Sequence, residues 1–251
     1  MSIAVNTLKE KIRRKELYVV AAIGLIIISF FCSGVSTITM DGEEITDYQN
    51  LIPILITIVN VISGALAIVL SLKTIPNEYE RKTSHLIWIR EVSETRYHGE
   101  LAAANIISSL FSTAIMYGGI LVFMIVKGET GRILFLIPAF FILAVSIIIV
   151  SMITSILSIH LPGMVSGAIA TICYLVGILH GVLDIYRSMV TGFISSLLKV
   201  VLIVVPDLHK IQSQTGQLIL GEAMDIHTVL KGLFIIWILS VFFLFVKRKE
   251  A

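Results

Sequence analysis

Charge is scarce in this chain. Asp, Glu, Lys and Arg make up only 14% of its 251 residues, while apolar residues make up 57%. That shortage excludes a soluble domain of this length, which needs far more polar surface. A net charge of +2 is too small for the electrostatic footprint of a nucleic-acid binder. Cysteine is nearly absent. Cys32 and Cys173 both fall in apolar runs, so they read as small buried hydrophobes and no disulfide framework is implied. Alternating apolar and polar residues are missing too, which argues against an outer-membrane barrel. No G-x-x-x-x-G-K-[ST] occurs, so the chain cannot hold ATP in a P-loop, and no cofactor site is expected. No H-E-x-x-H occurs, and His85, His98, His160, His180, His209 and His227 have no metal-ligand spacing. The first apolar run is too long for a cleavable signal and no small-residue cleavage pattern ends it.

What the chain does have is long apolar runs, with a mean hydropathy of +0.97. A helix needs roughly 20 apolar residues to cross the hydrocarbon core of a bilayer. Runs of about that length lie at 17–35, 51–72, 101–126, 133–159, 164–183 and 229–246. The expectation is an all-α polytopic membrane protein, one domain with six transmembrane helices. One further run, 189–205, contains Lys199 and stops at Pro206. It reads as a re-entrant or interfacial segment before the last helix, tolerated where it packs against protein.

Lys and Arg set the orientation. Lys9, Lys11, Arg13, Arg14 and Lys15 precede span one. Lys73, Arg81, Lys82, Arg90 and Arg96 lie between spans two and three, and Lys247, Arg248 and Lys249 follow the last span. Only six of the 19 basic residues fall elsewhere, and the loop 36–50 has none. Both termini and the 73–100 segment are therefore expected in the cytoplasm, with the protein in the cell membrane. Within an interfacial segment over 2–16, the stretch from Val5 on into Leu17 can be drawn as an amphipathic helix with Val5, Leu8, Ile12 and Leu17 near one face. The segment reads as an interfacial helix or as a plain basic flank.

The segment 73–100 is a polar island with ten formal charges. Pro76 and Asn77 read as the break that ends span two. The island holds a short apolar core, Leu86, Ile87, Trp88 and Ile89, that a solvated loop does not need. An apolar cluster rimmed by charge reads as a docking surface for a partner, or as an amphipathic segment resting on lipid.

This plan resembles the ABC-2 type permease family, the membrane subunits of ATP-binding-cassette transporters. The wording of the island carries the resemblance: Glu78 and Glu80, then Lys82-Thr83, then Leu86 to Ile89, then Val92-Ser93, Tyr97 and Gly99. Val204 to Gln212 is similar to a Leu-Pro-Asn/Asp-Leu segment before the last span of many members. Departures stand at Glu91, Glu94 and Glu100, where the family usually has Pro, Arg and Lys. The resemblance implies that Thr83 to Arg90 is a coupling helix seated in a separate cytosolic ATPase. Glu78, Glu80, Thr83, Leu86, Ile87, Trp88, Ile89, Arg90 and Glu94 would form the docking surface. It further implies two ATPase copies that carry the ATP and Mg, a second permease copy or a related permease, and export as the direction of transport. Spans one, two and five would line the dimer interface.

Two other functions compete. One is a membrane scaffold or sensor that recruits a different cytosolic protein. The other is intramembrane proteolysis. Ser166 lies in Gly-x-x-Ser-Gly, one residue longer than a rhomboid Gly-x-Ser-Gly, and His180 follows on the same span. Fourteen helical residues separate the two by about 21 Å, too far for a nucleophile and base. Ser166 reads instead as a small residue that lets helices approach, like Gly24, Gly34, Ser63, Gly64, Gly167 and Gly177. Asp184 and Arg187 read as an ion pair across one helical turn. Lys199 reads as a snorkelling anchor.

Overall fold

The computed structural model describes residues 3–32, 38–40, 43–45, 48–80, 92–128 and 130–245. These residues are helical apart from a short hairpin and the short turns between helices. In chain order the helices are α1 (Ile3–Arg13), α2 (Glu16–Cys32), α3 (Tyr48–Leu72), α4 (Thr74–Glu80) and α5 (Glu94–Val126). A 3-10 turn (Thr130–Phe135) leads into α6 (Leu136–His160), α7 (Gly163–Ile178), α8 (His180–Met189), α9 (Phe193–Val204), α10 (Leu208–Leu220) and α11 (Ile226–Phe245). The hairpin pairs β1 (Ile38–Met40) with β2 (Glu43–Ile45), Met40 opposite Glu43. It flanks the sequence Asp-Gly, the dipeptide favoured at two-residue hairpin turns. This small sheet was not foreseen in the all-α reading.

Four stretches are long and apolar enough to cross a membrane: Ile52–Glu80, Glu94–Val126, Thr130–His160 and Ile226–Phe245. The pair α7 and α8 makes a fifth if a 69° bend at Leu179 is allowed within one span. The straight span expected over 164–183 is therefore a bent pair. α2 is 17 residues long within the described part of the chain.

The bundle has a recognisable end. Ile75, Tyr97, Leu101, Ile159 and Phe243 form a buried apolar cluster there, with Ile3, Tyr79, Val92 and Ile156 packed against it. It joins α1, α4, the start of α5, the end of α6 and the end of α11. We call it the hub end. α5 leaves it and α6 and α11 arrive at it. α3 arrives beside it, because the Leu70 carbonyl accepts from Lys11. α7 leaves it, since Gly163 lies against the Leu72 carbonyl.

Many small polar side chains share the interior with the apolar core, and many large apolar ones lie on the surface. Asn60, Ser63, Ser71, Asn105, Ser108, Ser109, Ser112, Thr113, Ser146, Ser151, Thr154, Ser155 and Ser158 are all buried. Ile107, Phe111, Phe141, Leu233, Phe234 and Trp237 are exposed. Helix association in lipid has no hydrophobic driving force and relies on close approach and interhelical hydrogen bonds, so this arrangement suits a bilayer. The expected close approaches hold at the described glycines: Gly24 meets Met116, Gly64 meets Tyr174, Gly167 meets Leu72, and Gly177 meets Leu208. Gly34 lies outside the described residues.

Two boundaries move. The end of α3 is at Leu72 with a turn at Lys73, and Pro76 sits inside the first turn of α4 rather than breaking a helix. Proline is tolerated there because the missing N–H has no partner to lose. Helix α5 begins at Glu94, not near 101, so part of the expected loop is its first two turns.

Candidate functional site

The island's two ends are built into the hub. On α4, Glu78 accepts a hydrogen bond from the Tyr97 hydroxyl at 3.2 Å, and the Tyr79 hydroxyl lies 2.6 Å from His98 Nε2. Tyr97 and His98 are fully buried in the first turns of α5. Glu100 accepts from the Ile3 N–H at 2.6 Å and the Ala4 N–H at 3.3 Å, so it caps the start of α1. A carboxylate at a helix N-terminus satisfies orphan donors and complements the dipole. Thus Tyr79 and Val92, on either side of 81–91, both pack against the hub cluster.

Of the expected docking residues, Glu78 lies on α4 and faces Tyr97. Glu80 is exposed at the end of α4. It lines a shallow hollow of about 360 Å³ with Pro76, Tyr79, His160, Leu161 and Pro162. Glu94 opens α5. Thr83, Leu86, Ile87, Trp88, Ile89 and Arg90 lie outside the described residues.

Sequence reasoning counted Lys11 among the basic residues ahead of the first span and did not foresee its burial. It is only 5% exposed. Its ammonium donates to the Leu70 carbonyl at 2.7 Å, Asn105 Oδ1 at 2.8 Å and Ser108 Oγ at 3.0 Å. Those three acceptors use its three donors. Asn105 also accepts from Thr74 at 2.6 Å and donates to Ser155 at 3.0 Å. Burial pulls the Lys11 ammonium down from its ordinary 10.5 to about 8, with the Glu16 carboxylate pulling the other way. Val5 and Ile12 are 42% and 48% exposed. Helix α1 therefore turns its polar Thr7 and Lys11 inward and these apolar side chains outward, as a helix resting against lipid does.

A second polar network lies toward the other end. Asn60 on α3 donates to Thr215 Oγ1 on α10 at 2.9 Å and accepts from the Tyr117 hydroxyl on α5 at 3.3 Å. The Tyr174 hydroxyl on α7 donates to the Asn60 and Val61 carbonyls at 3.2 and 3.1 Å. Gln212 on α10 donates to Ser146 on α6 at 3.3 Å. Helix α10 is thus hydrogen-bonded to α3, α6 and α7, and through Asn60 to α5. It is cut cleanly from the chain: Asp207 caps its first turn by accepting from the Lys210 N–H, and Gly221 ends it at φ 87°. Both are ordinary start and stop signals. Asp207 stood in the stretch Val204 to Gln212 and was read only as part of the segment before the last span, and Gly221 was not singled out. Asn60 in the middle of an apolar run was the other visible signal.

The segment 189–205 is α9, packed back against α8. His180 Nε2 lies 3.1 Å from the Leu202 carbonyl, and Ser195 donates to the Arg187 carbonyl. Asp184 and Arg187 do pair, at 2.8 Å. Lys199 is exposed. Ser166 is fully buried and donates to the Gly163 carbonyl, while His180 is held by Leu202 and lies 3.6 Å from Asp207. Among the described residues no group of three His, Cys, Asp or Glu is placed to hold a metal. No family model matches this chain, and no curated protein matches it.

Proposed function

We propose that the chain is the membrane-spanning permease subunit of an ATP-binding-cassette transporter, an exporter driven by a separate cytosolic ATPase that docks on the island. In this reading α2, α3, α5, α6, the α7–α8 pair and α11 are the six spans. The hub end and both termini face the cytoplasm. Two ATPase copies and a second permease complete the assembly.

One observation carries the proposal: the two ends of the island are stapled to each other and to the spans. The pairs Tyr79–His98 and Tyr97–Glu78 tie α4 to α5. A push on 81–91 then moves α3–α4 and α5 as one body. The same two helices carry Asn60 and Tyr117 into the second network, so the displacement reaches α10. The apolar Leu86 to Ile89 supplies a grip for a cytosolic partner, and the absence of a P-loop assigns nucleotide to that partner. A scaffold that recruits some other protein would use the same grip.

The test is capture of partners on the purified chain. A partner that carries a P-loop supports the transporter, and a partner without one supports the scaffold. Ile87→Asp or Trp88→Asp should abolish capture while the permease keeps its melting behaviour. Unchanged capture and unchanged ATP-dependent transport in both variants would reject the docking assignment.

A further inference from the structure

Two hydroxyls stand out among the described residues. Ser63 on α3 and Ser112 on α5 are fully buried, and neither side chain makes a hydrogen bond. Their neighbours on α5 do. Ser108, Ser109 and Thr113 each donate to a carbonyl three or four residues back on the helix. A hydroxyl buried without a partner carries a desolvation cost, and hydrocarbon offers it neither donor nor acceptor. Close helix packing accounts for the small size of Ser63 but not for its oxygen.

The two serines belong to one seam. Helices α3 and α5 run antiparallel and are tied at two levels. Near the hub, the Lys11 ammonium reaches both the Leu70 carbonyl and Ser108. Farther in, Asn60 accepts from Tyr117. Counted from either level, at about 1.5 Å per residue, Ser63 and Ser112 lie within roughly 5 Å of each other in depth. Each sits on the side turned to the other helix. Ser112 follows Asn105 by seven residues, almost two whole turns, and Asn105 donates to the Ser71 carbonyl of α3 at 3.4 Å. Ser63 follows Asn60 by three residues, so it neighbours the side chain that meets Tyr117 of α5.

We propose that the α3–α5 seam binds a buried water molecule that bridges Ser63 and Ser112. The two hydroxyls do not bond each other, whereas one water links oxygens up to about 5.6 Å apart, twice an ordinary O–H···O length. The water accepts from the serines. The Val59 and Ser108 carbonyls, one turn back on each helix, take its own hydrogens. That gives it the two to four partners, roughly, that a buried water needs. The chemistry of the seam selects a small neutral ligand. Neither 60–70 nor 105–117 holds a charged residue, so an ion would find no counter-charge on these two helices. The site lies between the helices that flank the island, where a water can change partners as they shift. It stands whether or not an ATPase docks on the island.

Equilibrium unfolding of the full chain in detergent tests it. Ser63→Ala and Ser112→Ala should each lower the folded-to-unfolded ratio roughly five-fold, the net worth of one hydrogen bond. The double variant should lose no more than either single, because the water leaves with the first hydroxyl. A higher ratio in either single would overturn the proposal, since deleting an unpartnered hydroxyl relieves its burial cost. Additive losses would overturn it too, because they mean that each hydroxyl bonds separately. A second measurement separates a water from a direct serine pair. Met116 follows Ser112 by one turn and is 1% exposed, while Met124 is 0% exposed. Hydroxyl radicals made by an X-ray pulse in isotopically labelled water should oxidise Met116 several-fold faster than Met124, and the double alanine variant should lose that difference. Equal oxidation of the two methionines in the wild type would overturn the water.

Discussion

The hub end and the network around α10 are held together in different ways. At the hub, the polar bonds that tie α4 to α5 join partners close in sequence. Tyr79 meets His98 and Glu78 meets Tyr97, nineteen residues apart in each case. An apolar cluster surrounds them. At the other network the partners are remote. Asn60 reaches Thr215 across 155 residues, and Tyr174 reaches Asn60 across 114. There the binding groups are amides and hydroxyls. The contrast separates an end built round a buried apolar cluster from one closed by polar contacts between helices remote in sequence. A block suits the receipt of force. A helix keyed in by polar contacts suits rearrangement, because interhelical hydrogen bonds in membranes are individually weak.

The largest expected effect breaks the remote network alone. A Cβ at Gly64 would land on the Tyr174 ring and hydroxyl. Gly64→Leu should destabilise the protein by at least about 3 kcal/mol, the upper range for overpacking. Thermal melting in detergent would show it. The fraction that remains folded should still capture whatever partner the proposed docking surface binds in the wild type, because the hub is untouched. Loss of capture in that folded fraction would show that the two ends are not separable.

The next effect sharpens the hub side. Lys11 holds its proton less well in the folded chain, at about 8 against an ordinary 10.5. Between those values the unfolded chain binds more protons, so stability rises as pH rises. Melting of the wild type should gain on Lys11→Met from pH 8 to 10.5, by on the order of 3 kcal/mol. Parallel melting curves across that range would mean that Lys11 is not desolvated. The smallest effect measures one contact of the remote network. A double-mutant cycle of Asn60→Leu and Thr215→Val should give a coupling near 0.6 kcal/mol, the average for such bonds in membranes.

Much of the architecture could be read before the structure was known, and the reason is physical. Apolar runs of bilayer length announce themselves by composition alone, so the ends of α3 and α5 fell at the expected Leu72 and Val126. Breaks were harder. The bend at Leu179 has no Pro or Gly at that position, and Lys73 ends α3 without a local signal. The site was only partly legible. Glu78 was read as part of the island's docking surface, but its bond to Tyr97 depends on how α4 folds back along α5. Lys11 looked like any of five basic residues ahead of the first span. Only the positions of Leu70, Asn105 and Ser108 make it a buried one, and no local pattern encodes contacts across 59 to 97 residues.

The central claim is that a cytosolic engine grips the island, and the island's side of the membrane tests it most directly. Ser84→Cys can be placed in a background with Cys32→Ser and Cys173→Ser, which leaves one thiol in the chain. A membrane-impermeant maleimide should label it in inverted vesicles and leave it untouched in intact cells. Labelling in intact cells, with none in inverted vesicles, would put the island outside and contradict the account.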